Sequence, residues 1–248
     1  MRLAGFTKNF MTLTMQGRIS ACVLLAYRTP KRAVAQLTPT GLELVTRGEW
    51  AFWNVVASRI DAMRPSGLPA WCGLSYTHVA YRLYVRATNT NPPVEGLFFV
   101  RSDADNALIS ATGNWLSDFR FHHSHIVFEA TNEQMNLKVH HPEAPADLLV
   151  TPNTAAVTSL SQSPCFNSRA EAAHFLKYRP LGLSPTPKAL RLAEVFRNET
   201  EWRETPLAVR SARFPFLERF GPHQLELATQ VAPIDYRWRL GKRIALNP

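Results

Sequence analysis

The sequence predicts a domain of the α+β class that consists mainly of antiparallel β-strands and closes, fully or in part, into a barrel. Three observations lead to this fold class. Segments rich in aromatic and branched side chains recur along the chain, with proline and glycine between them. One of these segments, residues 75–87, alternates between two kinds of side chain. Segments that suit a helix are few.

Length and composition predict one domain. A chain of 248 residues, 46% of them hydrophobic, can form one substantial core. We expect a loose N-terminal segment over residues 1–16 and a single domain over residues 17–248. The three cysteines are too far apart for a disulfide framework or a Cys-x-x-Cys motif, which predicts a reduced, cytoplasmic location. No apolar run approaches the ~20 residues of a membrane-spanning helix, so we expect a soluble protein without a membrane partner.

The formal net charge of +9 would suit an anionic partner. The arginines are scattered, however, and neither zinc-finger spacing nor a basic helix followed by heptads is present. We therefore expect no nucleic-acid partner and interpret the charge as a solvated basic surface. A role that depends on this surface alone is the least favoured alternative, and it predicts salt-sensitive binding to heparin or DNA.

The first half of the chain predicts three strands and one short helix. The segment "RISACVLLAYRT" predicts a buried first strand, after which Pro30 opens the helix. Residues 50–63 predict the second strand and residues 75–87 the third. In the third strand the polar face must meet water or the lumen of a barrel. One face consists of Thr77, Val79, Tyr81, Leu83 and Val85. The other, polar face consists of Tyr76, His78, Arg82 and Tyr84.

The second half predicts a continuation of the sheet at "EGLFFVRS", a helix over residues 104–116 and a hairpin of residues 119–129 and 134–140. Residues 142–163 predict a loop with one weak strand at most. Ser168 is a candidate cap for a helix through Lys177. Three prolines then break the chain, and further strands are expected near residues 189–197, 206–212 and 224–239.

The stretch "SDFRFHHSHI", residues 117–126, raises the question of a metal site. Alternation in a strand puts Phe121, His123 and His125 on one face. If the hairpin places His140 opposite His123, three imidazoles could hold a catalytic zinc ion. Because no carboxylate lies at a supporting position, we expect no metal and no other cofactor, and His123, His125 and His140 are only the weakest candidates.

Two further stretches carry a family resemblance. Residues 27–44, "YRTPKRAVAQLTPTGLEL", and the segment "GNWLSDFRFHH" from Gly113 resemble two segments of acetoacetate decarboxylase. "MRPSGLP", "YTHVAYRLYVR", "GLFFV" and "AEAAHFLKYRP" look more like an uncharacterised branch of the same superfamily, a domain of unknown function. The resemblance covers most of residues 17–240. It implies a cone-shaped, antiparallel β-barrel around an internal pocket, with a few peripheral helices.

The resemblance does not extend to the reactive lysine. The decarboxylase forms a Schiff base through a lysine whose pKa is lowered by its surroundings. The matching position here is Phe121, followed by His122, and phenylalanine cannot form an imine. Asn54 stands where the decarboxylase has a glutamate, and His78 where the uncharacterised branch often has one. None of the six lysines suggests a replacement nucleophile: Lys8, Lys31, Lys138, Lys177, Lys188 and Lys242.

The first of two hypotheses is that the protein binds a small, anionic organic molecule in an internal pocket and performs no covalent catalysis. Arg18 and Arg82 would hold a carboxylate, because a guanidinium offers a bidentate fork. The alternative for Arg82 is a salt bridge at the barrel rim. The full set of expected ligand-binding residues is Arg18, Asn54, Tyr76, His78, Arg82, Tyr84, Phe121 and His123.

The second hypothesis is a lysine-independent enzyme for a small carbonyl or carboxylate compound. His78 and His123 would act as acid and base or bind a metal, since imidazole titrates near neutral pH. A homodimer formed by pairing of edge strands is compatible with both hypotheses.

Overall fold

The fold is taken from a computed structural model that describes residues 13–153, 163–187 and 189–245. Most of the predicted loose segment, residues 1–12, and part of the predicted loop at 142–163 lie outside the described residues. The first strand begins at Leu13, earlier than the sequence suggested.

The described residues form fifteen strands and four short α-helices, with two additional 3₁₀ turns. The strands are β1 (Leu13–Pro30), β2 (Glu43–Leu44), β3 (Thr46–Arg47), β4 (Trp50–Pro65), β5 (Leu74–Ala87), β6 (Val94–Ala104), β7 (Phe121–His123), β8 (His125–Ala130), β9 (Met135–His140), β10 (Ala146–Pro152), β11 (Leu181–Pro185), β12 (Ala189–Arg197), β13 (Glu204–Arg213), β14 (Gln224–Val231) and β15 (Ile234–Ala245). The helices are α1 (Lys31–Val34), α2 (Ala107–Leu116), α3 (Arg169–Phe175) and α4 (Pro215–Glu218), and the 3₁₀ turns are Ala35–Leu37 and Ala70–Cys72.

Seven strands close into a barrel in the order β1, β4, β5, β6, β11, β12 and β15, with β15 pairing back to β1. Neighbours in this barrel are antiparallel except β6 and β11, which are parallel. Strands β14, β13, β10, β9 and β8 continue the sheet outward from β1. The predicted class, a mainly antiparallel barrel with a few peripheral helices, is confirmed.

The core has one part outside the barrel wall and one part inside it. The larger cluster joins outward-facing residues of β1, β4 and β5 to residues of β8, β9 and β10. The strands that continue the sheet from β1 therefore cover one side of the barrel. A second cluster fills the interior from the inward faces of the barrel strands. The predicted alternation of β5 is confirmed, since Val79 and Tyr81 belong to the outer core while His78 and Arg82 face the interior.

Several predicted elements are confirmed and some boundaries change. The Oγ of Ser168 accepts a hydrogen bond from the Glu171 amide and caps α3, which ends at Phe175. The segment 224–239 forms two strands rather than one, β14 and the start of β15, which follow one another along β1 and both pair antiparallel with it. Strand β11 lies where the prolines predicted a break; Pro185 is tolerated because it ends the strand. None of the described helices has the length and apolar character needed to cross a bilayer.

The predicted hairpin exists, but its predicted register is wrong. His140 pairs with His125, not with His123. The reason is that the chain changes partner at Ser124: β7 pairs with β6, and β8 pairs with β9. Ser124 donates its backbone N–H to Ala104 and its hydroxyl to Asp103, which interrupts the strand and resets the alternation of side chains.

Candidate functional site

A cavity of about 80 Å³ lies inside the barrel. Strands β1, β4, β5, β6, β11, β12 and β15 all contribute to its wall, which is mainly apolar. A few polar side chains enter this surface, including Ser58, His78, Arg82, Tyr178, Arg179, Arg197 and Tyr236. An apolar cavity with a few converging polar groups is the usual form of a small-molecule site.

A chain of hydrogen bonds fixes the Arg82 side chain. Asn54 lies opposite Arg82 in the pairing of β4 with β5, and its Oδ1 accepts a hydrogen bond from Arg82 Nη2. Asn54 Nδ2 donates to the Tyr84 hydroxyl at 2.8 Å, and that hydroxyl donates to the Leu176 carbonyl at 2.6 Å. Both the oxygen and the nitrogen of the Asn54 side-chain amide therefore form hydrogen bonds, and the guanidinium of Arg82 is held in one orientation.

Arg82 carries a positive charge that no carboxylate in the described part of the chain neutralises. The residue is 5% exposed, and its buried Nε finds no hydrogen-bond partner within the described ranges. Its guanidinium lies 5.4 Å from the ring centroid of Phe99 and 6.0 Å from that of Tyr178. Burial lowers the pKa of Arg82, but an arginine keeps its proton in proteins. The alternative of a rim salt bridge is therefore wrong for the described residues.

His78 lies beside Arg82 in the cavity wall and is neutral. Burial, and secondarily the charge of Arg82, lowers the pKa of His78 to about 3. The Nε2 atom of His78 is buried and has no hydrogen-bond partner among the described residues. The imidazole packs on the Phe121 ring, with centroids 5.2 Å apart. Phe121 in turn contacts Gly113 of α2, where an added Cβ would lie 2.6 Å from the Phe121 Cδ2 atom.

The two other arginines of the cavity wall have carboxylate partners. Arg179 Nη2 lies 3.1 Å from Glu95 Oε2. Arg197 Nε donates to Glu199 Oε1 at 2.9 Å, and its guanidinium stacks on the Trp202 ring at 3.3 Å. Sequence reasoning missed both arginines. The only signal for Arg179 was its place in the family-like segment "AEAAHFLKYRP", and the sequence of β12 offered none for Arg197.

Six of the eight predicted ligand-binding residues lie at or behind the cavity. His78 and Arg82 line it. Asn54 and Tyr84 stand behind Arg82 in the hydrogen-bond chain. Phe121 and Tyr76 contact His78 through their rings, at centroid distances of 5.2 and 6.3 Å.

Arg18 and His123, expected from the sequence among the ligand-binding residues, do not line the cavity. The neighbour of Arg18 in β1, Ile19, points into the cavity, so Arg18 points outward. Its side chain is 53% exposed, and Nη1 lies 2.9 Å from Asp235 Oδ1. His123 is exposed at the end of β7, although Phe121 of the same strand is buried.

The three weak metal candidates are not gathered at one point. The rings of His125 and His140 are 5.2 Å apart on neighbouring strands, while His123 lies beyond the break at Ser124. In the described ranges, no three His, Cys, Asp or Glu side chains are arranged to hold a metal ion. No described lysine lines the cavity, and Lys8 and Lys188 lie outside the described residues.

Comparisons with known proteins agree with the fold. Residues 17–233 match the model of the DUF2071 family, which is described as an uncharacterized conserved protein. No curated protein matches the chain at a significant level.

Three solved structures illustrate the likeness in fold. An acetoacetate decarboxylase-like enzyme from Sphingomonas wittichii RW1 has a TM-score of 0.60 and 16% identity over 98% of this chain and 99% of that chain. The acetoacetate decarboxylase from Legionella pneumophila has a TM-score of 0.59 and 12% identity over 93% and 86%. The enduracididine biosynthesis enzyme MppR complexed with pyruvate has a TM-score of 0.56 and 13% identity over 100% and 96%. At these identities the likeness concerns the fold alone.

Proposed function

The chain belongs to the DUF2071 family and has the acetoacetate decarboxylase-like fold, and from that premise we propose that it binds a small organic anion in the barrel cavity without forming a covalent bond to it. One observation carries the proposal: the buried guanidinium of Arg82 faces the cavity and has no carboxylate partner in the described chain. A buried charge without a partner is costly, and an anionic ligand would compensate it.

The surroundings of Arg82 limit the ligand. A cavity of about 80 Å³ admits a molecule of only a few non-hydrogen atoms. The negative group would bind Arg82, whose Nε is free to donate a hydrogen bond. The neutral imidazole of His78 would supply a second hydrogen bond through Nε2. Leu24, Val56 and Phe99 would enclose the apolar part.

The proposal excludes the imine chemistry of the decarboxylase. Phe121 occupies the position that matches the reactive lysine and packs against His78 and Gly113. The lysines of the described chain lie outside the cavity wall. Both features support binding through charge and hydrogen bonds only.

A melting-temperature screen against small organic acids tests the proposal. A ligand that binds only the folded protein raises its stability. We expect acids that fit to raise the melting temperature of the wild type and not that of Arg82→Gln. Arg210→Gln is the matched control, because Arg210 is an exposed arginine of β13 that contacts Thr151 outside the cavity. Equal shifts in Arg82→Gln and the wild type would refute the proposal.

A second candidate function, a lysine-independent enzyme for a small carbonyl or carboxylate compound, is favoured by the unpartnered Nε2 of His78 in the cavity wall. With a pKa of about 3 the imidazole is a weak base, so a bound anion would first have to raise that pKa. His123 is exposed and has no part in this candidate. Conversion of a carbonyl compound, followed by NMR and lost in His78→Gln, would favour it. No conversion by the wild type would exclude it, and conversion that His78→Gln retains would exclude His78 as the acid or base.

A further inference from the structure

Two arginines separate the cavity from the protein surface. Arg179 borders the cavity and also a surface groove beside β2, β3 and α3. Arg197 borders the cavity and a second surface groove, which Tyr236 also shares. A ligand therefore has two candidate routes, one past each arginine.

The two arginines are held differently. Arg179 donates to the backbone carbonyl of Phe175 and pairs with Glu95, which also pairs with Arg86. Arg197 pairs with Glu199, whose side chain is 69% exposed. In the part of the chain that the structure describes, the buried Nη1 of Arg197 has no hydrogen-bond partner. Glu199 holds Arg197 through two hydrogen bonds, from Nε at 2.9 Å and from Nη2 at 3.3 Å. Because Glu199 itself is largely exposed, movement of the turn that carries it would release Arg197 at little cost.

The turn at residues 198–203 carries the groups that hold Arg197. Its hydrogen bonds are largely its own: Asn198 Oδ1 accepts from the Thr200 amide at 3.1 Å, and Asn198 Nδ2 donates to Glu201 Oε1 at 2.6 Å. Trp202, on which Arg197 stacks, belongs to the same turn and lines the cavity. The end of the turn is tied to the barrel, because the Arg203 carbonyl accepts a hydrogen bond from the Ala232 amide at 3.0 Å and the Trp202 ring lies 5.6 Å from that of Tyr178. A shift of Glu199 and Trp202 would therefore take place about residue 203.

The groove beside Arg197 is lined by four arginines and three acidic residues. The groove beside Arg179 has the same excess of one basic side chain, so charge is compatible with both routes, and the way in which Arg197 is held distinguishes them. Arg18, predicted from the sequence as a pocket residue, lies in this groove instead of the cavity. The charged residues are Arg18, Arg64, Arg197, Arg237, Asp61, Glu201 and Asp235.

We infer that Arg197 and Trp202 form the gate of the cavity and that the groove containing Arg18 is its entrance for the ligand. The inference rests on the proposed function, because it assumes that the cavity takes up a molecule from solution. Movement of the turn at 198–203 away from the barrel would withdraw Trp202 and free Arg197 from Glu199.

The rate at which Cys22 is modified measures opening of the gate, and this measurement does not require the ligand to be identified. It lines the cavity, is 2% exposed and has a pKa raised to about 12 by burial. In a Cys72→Ser, Cys165→Ala background it is the only cysteine of the chain. Its modification by methyl methanethiosulfonate, followed by mass spectrometry, measures how often the cavity opens to solvent.

Three variants in this background test the gate. We expect Trp202→Ala to accelerate modification of Cys22 by about tenfold or more, because local opening governs access. Glu199→Gln leaves the packing of the wall intact, and we expect an increase of about threefold from loss of an exposed ion pair. Arg179→Ala, the matched control at the other groove, should leave the rate within about twofold.

Acceleration by Arg179→Ala without acceleration by Glu199→Gln would overturn the inference, and so would equal rates in all variants. The outcome is separable from that of the proposed function. If the gate variants accelerate modification of Cys22 but no acid binds, the proposed function is refuted and the inference about the gate is supported. If acids bind and the gate variants leave the modification rate unchanged, only the inference about the gate is refuted.

Discussion

The imidazole of His78 rests on the ring of Phe121, with the two planes inclined by 32°. The sequence resemblance predicts that Phe121 stands at the position of the reactive lysine of acetoacetate decarboxylase. The Asn114 side chain binds both the backbone N–H and the carbonyl of Phe121, which fixes the end of α2 to β7. Phe121 therefore supports a neutral histidine in the cavity wall.

The first prediction is that the protein forms no imine. Incubation with acetoacetate or pyruvate, followed by borohydride, should leave the mass of the intact protein unchanged, because no described lysine lines the cavity. Intact-mass spectrometry makes the measurement, with an acetoacetate decarboxylase as the positive control. A reduced adduct that maps to any single lysine would contradict the account.

Asn54→Asp should abolish anion binding while the protein stays folded. The substitution keeps the shape of the side chain and places a carboxylate against Arg82 Nη2, so the charge that would attract the ligand is neutralised. We expect the affinity for the best acid of the screen to fall by at least about tenfold, measured by calorimetry. Asn91→Asp, an exposed loop position, makes the same change in net charge and should bind as the wild type does.

If Asn54→Asp binds the acid as tightly as Asn91→Asp, Arg82 does not hold the anion. A loss of the cooperative melting transition would instead mean that the chain from Asn54 to the Tyr84 hydroxyl is needed for folding, which circular dichroism would detect.

The low pKa of His78 predicts acid sensitivity. With a pKa of about 3 when folded and about 6.5 when unfolded, the unfolded chain takes up a proton between these values that the folded protein does not. The free energy of unfolding therefore falls as the pH drops below about 6.5, by about 2–3 kcal/mol at pH 4.5 from this one group.

Urea unfolding at pH 7 and pH 4.5, for the wild type and His78→Phe, isolates this contribution. The difference in free energy between the two pH values should be smaller in His78→Phe, because phenylalanine has no proton to bind. Other groups titrate equally in both proteins and cancel. The same pH dependence in both would show that His78 is not held neutral.

The sequence predicted the structure correctly where a local pattern, such as the alternation of side chains along a strand, determines it. The alternation in β5 assigns His78 and Arg82 to one face, and the strand pairing keeps that face toward the barrel interior. The Ser168 cap follows from local chemistry and is present. Local features of this kind need no knowledge of distant parts of the chain.

Features that depend on distant partners could not be predicted. The break at Ser124 arises because β7 pairs with β6 and β8 with β9, and no local pattern indicates that change. Arg18 points outward because of the irregular pairing of β1 with β4 near that residue. Arg179 and Arg197 come close to Arg82 only when the barrel closes.

The affinity of the best-binding acid, compared with that of its primary amide, tests the central claim most directly. Calorimetry with the wild type and Arg82→Gln completes a double-mutant cycle that isolates the interaction between the ligand charge and the guanidinium. We predict that the wild type binds the acid at least about tenfold more tightly than the amide and that Arg82→Gln binds the two equally weakly. Equal affinity of the wild type for acid and amide would contradict the account.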